Sequence, residues 1–188
     1  MSRTRRLSVV LLLNLALVAG LIVVGVTAHS TAVFAEGGDY LLDAAAVGVA
    51  LLAAGTVAAL INAGWLLALQ LLVAGVAVYR LVAGPPAVDG LPVLVVSGIA
   101  AVVMGIAALV LRGDDDDEDL SVKAVLLDTV ADSAAAAGVA VTGAVILAAR
   151  GWYWLDPAVA LAIAVVVAYH AFRLIRKVLR KDVGNESA

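Results

Sequence analysis

"LPVLVVSGIAAVVMGIAALVL", residues 91–111, decides the fold. No charged side chain interrupts it, and about 20 such residues at ~1.5 Å each cross a hydrocarbon core of roughly 30 Å. The rest of the chain has the same texture. Its 188 residues are 64% hydrophobic with a mean hydropathy of +1.11, above the roughly 45–50% apolar content of a soluble domain. Six spanning segments are predicted, at about 7–28, 35–54, 57–82, 91–111, 122–149 and 155–175. "AAGT" (53–56) is the turn between the second and third, and Pro85, Pro86, Gly90 and Pro92 punctuate the passage to the fourth. "RGDDDDED" (112–119) and "RGWYWLDP" (150–157) make the remaining breaks. The expected fold is all-α: a polytopic six-transmembrane-helix bundle forming a single domain over 1–188, placed in the cell membrane.

Basic residues set the expected orientation. Arg3, Arg5 and Arg6 precede the first segment, Arg112 and Lys123 flank the acidic run, and Arg173, Arg176, Lys177, Arg180 and Lys181 follow the sixth segment. Only Arg80 and Arg150 fall on the other side. Both termini are therefore expected in the cytoplasm, with an acidic loop at 113–119 and a short tail at 178–188 on that side. "SRTRR" (2–6) before an apolar stretch has the look of a signal peptide, but the stretch is too long, and it is read as a retained helix. Trp152, Tyr153 and Trp154 then form an aromatic belt at the outer surface. With no cysteine, disulfides and thiolate metal sites are excluded. No basic patch lies outside the helix ends, so nucleic-acid binding has no support.

Carboxylates inside the apolar segments are the anomaly. Asp39 and Asp43 stand one helical turn apart, and so do Asp128 and Asp132. An ionised Asp near a helix centre costs about 2.5–3.5 kcal/mol on insertion scales, so this set needs compensation. No Lys or Arg lies in the central part of any predicted segment to provide it. Asp43 and Asp132 each sit about 18 Å from the cytoplasmic end of their segments, at ~1.5 Å per residue. The two helices run antiparallel, so both pairs can meet near the midplane. Small residues after each pair, "AAAVGVA" and "SAAAAGVA", allow close helix packing. Hard oxygen donors in this number suit a divalent cation in a tetrahedral or larger shell. When the ion leaves, the adjacent negative charges are relieved by protons, which is the physical basis of metal/proton exchange.

The segments themselves resemble the cation diffusion facilitator family. "HSTAVFAEGGDYLLDAAAVGVALLA" (29–53) is similar to that family's second helix, with an Asp or His four residues before an Asp. "SVKAVLLDTVADSAAAAGVAVTGAVILAARGWYWLDPAVALAIAVVVAYHAFRLIRK" (121–177) resembles its fifth and sixth helices, including the Trp154, Asp156, Pro157 start of the sixth. "VAALINAG" (57–64) and "YRLVAGPPAVDGLPVLVV" (79–96) are similar to its third helix and the exit into the fourth. The resemblance covers 7–177 in the right order. It implies a transport site at Asp39, Asp43, Asp128 and Asp132. Zinc-transporting members often have His at the Asp128 position, so the site here is all-oxygen. That favours Mn²⁺ or Fe²⁺ on ligand chemistry, while the family ranks Zn²⁺ first. Members usually carry a cytoplasmic C-terminal domain and a longer link between the second and third helices. This chain is expected to be a form lacking that domain, dimerising, if it does, through its membrane helices.

Other polar residues have plainer expectations. Asp114, Asp115, Asp116, Asp117, Glu118 and Asp119 can gather cations through a local negative potential, or can simply form a solvated charge run. Asn14, Asn62 and Gln70 are expected to hydrogen-bond between helices, and His29 and His170 to lie at the interfaces. Glu36 is expected in an outer loop, and Asp156 as the N-cap of the sixth helix. The expected function is export of divalent metal (Zn²⁺ first, with Mn²⁺, Cd²⁺, Co²⁺ or Fe²⁺ possible cargo) in exchange for protons. No prosthetic group is expected. The alternatives are a proton or monovalent-cation antiporter and a non-transporting metal-binding partner or sensor. An enzyme is not expected, because no nucleophile–base pair or cofactor fingerprint accompanies the carboxylates.

Overall fold

Six helices account for the fold of the computed structural model, which describes residues 3–51, 56–111 and 120–186. They are α1 (Arg3–Thr27), α2 (Thr31–Leu51), α3 (Thr56–Ala83), α4 (Gly90–Leu111), α5 (Leu120–Ala149) and α6 (Leu155–Glu186). Among the described residues there is no strand. Residues 53–55 of the turn expected at 53–56, and the acidic run 114–119, lie outside them.

Three helices extend well beyond their predicted spanning segments, the first beginning at Arg3 rather than residue 7. The second starts at Thr31 rather than residue 35, because Ser30 caps it: its Oγ accepts the Val33 N–H at 3.1 Å. The sixth continues to Glu186 rather than ending at 175. "RKVLRKDV" (176–183) is polar but contains no Gly or Pro and suits a helix leaving the apolar layer.

Polarity runs outside-in. Leu109, Val102, Val141, Leu127 and Val82 are exposed, whereas Glu36, Gln70, Ser97, Asp132 and Asp156 are buried. Extensive exposed apolar surface over a polar interior matches a molecule whose solvent is lipid. Gly90–Val110, Thr129–Ala149 and Leu155–Arg173 are long and apolar enough to cross a membrane, and Leu11–Thr27 and Leu67–Ala83 are shorter apolar stretches.

The most extensive helix pairings are α4 with α5, α3 with α6 and α1 with α2. Backbones touch directly where α4 crosses α5. A Cβ on Gly143 would lie 2.6 Å from the Leu94 nitrogen, and one on Gly90 would lie 2.5 Å from the Gly143 carbonyl oxygen. This is the small-residue approach that membrane helices use in place of a hydrophobic drive. By contrast α2 with α5 and α5 with α6 touch only slightly, and a cavity opens between these three helices.

The end of the bundle holding the α1–α2 turn is tied tightly. His29 adopts φ 57° just past the end of α1, while the Ser30 N–H closes back on the Gly25 carbonyl at 3.1 Å, a left-handed helix stop. Arg80 of α3 donates from Nη1 to the His29 carbonyl at 2.6 Å. The Asp89 N–H reaches the Ala28 carbonyl at 3.2 Å. Trp152 and Trp154 stand half-exposed near the start of α6, ring centroids 6.3 Å apart.

Candidate metal centre

Helical spacing builds the centre from three faces. On α2, Asp39, Leu42 and Asp43 share one face; on α5, Ala131, Asp132 and Ala135 do. The third wall is an α6 stripe, Ile163, Val166, Val167 and His170. Together they line a cavity of about 400 Å³. Carboxylate oxygens of Asp39, Asp43 and Asp132, one from each, lie within 4.8 Å of one another. Asp132 is buried and the other two are half-buried. Oxygens that close, from three acids in an apolar bundle, can be bridged by a single small cation, whose charge offsets their repulsion.

The structure therefore brings together Asp39, Asp43 and Asp132 across α2 and α5. Asp128 belongs to α5 one turn before Asp132, and its side chain lies outside the described residues, as do Asp114, Asp115, Asp116, Asp117, Glu118 and Asp119. Ser133 fixes this part of α5 against α4, its Oγ donating to the Ala101 carbonyl at 2.8 Å.

Three sequence expectations change, and a fourth residue gains a role. Glu36 is not in a loop: with α2 starting at Thr31, it is buried in the bundle and its Oε2 accepts the Ser97 hydroxyl of α4 at 2.6 Å. Asp156 does not cap α6, in whose first turn it sits; it caps α2 instead. Its carboxylate accepts the Thr31 N–H at 2.7 Å, the Ala32 N–H at 3.3 Å and both the Ser30 and Thr31 hydroxyls. Asn14 and Gln70 are buried and, among the described residues, make no side-chain hydrogen bond. Gln70 lies against Gly38, close enough that a Cβ there would meet its Nε2 at 2.5 Å. The Asn62 side chain lies outside the described residues. His170, exposed on α6, also lines the cavity, which the sequence expectation did not foresee. Its spacing from Ile163 and Val167 along α6 was the available signal, but two turns of one helix do not reveal which neighbour they face.

A helical membrane bundle with carboxylates gathered on an internal cavity is the build of a protein that handles cations within the bilayer. The chain belongs to the cation efflux family, whose transmembrane-domain model matches residues 53–181. That match covers α3 to α6; Asp39 and Asp43 on α2 precede it. The chain is also similar to the zinc transporter ZitB of Yersinia pseudotuberculosis serotype I (strain IP32953) and to that of Yersinia pestis. Each is 28% identical over 167 residues, covering 79% of this chain and 53% of the relative. The chain thus spans about half the length of the curated relatives it matches.

Proposed function

We propose that the protein exports divalent metal cations from the cytoplasm in exchange for protons, with Zn²⁺ the first cargo and Mn²⁺, Cd²⁺, Co²⁺ and Fe²⁺ further ones. Asp39, Asp43 and Asp132 hold the ion, and Asp128, one turn earlier on α5, is a candidate fourth donor. The observation that carries this reading is the approach of three carboxylates within 4.8 Å across two helices on one cavity. Membership of the cation efflux family and likeness to two zinc transporters support the cargo class.

The chemistry follows from charge. With an ion present, hard oxygens neutralise it and the cavity tolerates the acids. With the ion gone, clustered negative charge in a low-dielectric bundle is relieved by protons, so metal and protons alternate at one place. All six helices span the membrane in this reading, both termini are cytoplasmic, and any homodimer forms through membrane helices. Asp114 to Asp119 then raise the local cation concentration at the cytoplasmic mouth.

The test is metal flux into proteoliposomes under a pH gradient, with Zn²⁺, Mn²⁺, Cd²⁺, Co²⁺ and Fe²⁺ compared. Metal flux coupled to proton counterflow, and lost in Asp132→Asn, is the expected result. Binding without flux would instead leave a metal sensor or partner. Flux of monovalent ions alone would leave a cation antiporter.

A further inference from the structure

Among the described residues, polar chemistry on the cavity wall comes from four side chains: the carboxylates of Asp39, Asp43 and Asp132 and the imidazole of His170. The remaining wall is aliphatic, Leu42, Ile163, Val166 and Val167 among it. His170 follows Val166 by one turn on the α6 face that looks across at the acids. His170 is exposed, its ring rests 6.0 Å from the Tyr169 ring, and among the described residues no hydrogen bond holds it in place. His170 thus shares the cavity wall with the acids, while its ring nitrogens lie outside the group of ligand atoms within 4.8 Å, so ligation requires the side chain to turn inward.

Ligand number makes that nitrogen significant. Zinc is usually held by four donors, and among the described residues three acids cluster. We propose that His170 supplies a nitrogen ligand to the cargo ion, closing the shell from α6 and favouring Zn²⁺ over Mn²⁺. Imidazole suits zinc, copper, iron and nickel, whereas manganese, magnesium and calcium prefer oxygen. The inference rests on the reading that the carboxylates hold the ion. Its rival as fourth donor is Asp128, which would leave the shell all-oxygen.

The chain has two histidines, and the other, His29, belongs to the α1–α2 turn. An imidazole signature in zinc X-ray absorption therefore has only two possible sources. The measurement uses the purified full-length chain in nanodiscs with one equivalent of Zn²⁺. The signature is expected in the wild type and in His29→Gly, and is expected to vanish in His170→Ala while zinc stays bound through oxygen. The ratio of Zn²⁺ to Mn²⁺ affinity should fall roughly tenfold or more in His170→Ala. Because His170 is exposed, thermal unfolding of this variant should match the wild type. Oxygen-only zinc in the wild type, or an imidazole signature that survives His170→Ala, overturns the inference and leaves the carboxylate reading intact. Failure of the carboxylate reading looks different: zinc is absent from the wild type, or is held undiminished in Asp132→Asn, and the inference falls with it.

Discussion

Asp156 and Asp132 are the same side chain in the same apolar bundle, both withdrawn from the surface, and the fold uses them in opposite ways. Asp156 reaches across from α6 to the start of α2 and is surrounded by donors, two backbone N–H groups and two hydroxyls. Asp132 instead faces two more carboxylates over a cavity. A buried acid closed off by a helix N-terminus is a joint. A buried acid facing its own kind is stable only with a cation or protons to offset the charge. Burial alone therefore does not separate the two roles; the sign of the neighbours does.

The largest effect that could break this contrast is in flux. Asp132→Asn is expected to lower metal flux by at least about 100-fold with helix content unchanged by circular dichroism. Transport that persists would put Asp132 in the same structural class as Asp156. Next, Asp156→Ala should cost about 3 kcal/mol in thermal unfolding, since it strands the donors at the α2 start. Zinc affinity should stay within about twofold of the wild type, well under one kcal/mol; a large affinity loss would mean the clamp and the cavity are not separable. Gly143→Val, which drives methyl groups against the α4 backbone, is expected to destabilise by about 2 kcal/mol. Ser97→Ala removes the hydroxyl that donates to Glu36 and should cost about 1.5 kcal/mol. Last, His29→Gly relieves a left-handed residue and should stabilise by roughly 0.5 kcal/mol.

How much of this could be read beforehand divides along the same line. Hydropathy and one-turn spacing are local, so the six helices and the shared face of Asp39 and Asp43 were legible. The meeting of that face with Asp132 followed from depth and antiparallel direction. What was not legible depends on contact between helices distant in the chain. Asp156 satisfies the N-terminal rule, but for a helix more than a hundred residues earlier. Glu36 was misplaced because hydropathy marks where a segment turns apolar, while a helix begins where its cap sits; Ser30 was the cue. The far end of α6 was cut short for the same reason, since a helix does not stop where the bilayer does.

The Asp156 clamp has a mechanical side as well. It pins the first turn of α2 to the first turn of α6, so those two helices share a hub at one end. Asp39, Asp43 and His170 are carried on this pinned pair, whereas Asp132 is carried on α5, which is packed on α4 through bare glycine backbone. On the proposed reading the ligand set is thus divided between two levers, like the tips of a pair of tongs. Parting the tips by a few ångströms is enough to change the number of oxygens within reach of an ion, with no helix needing to rotate about its own axis.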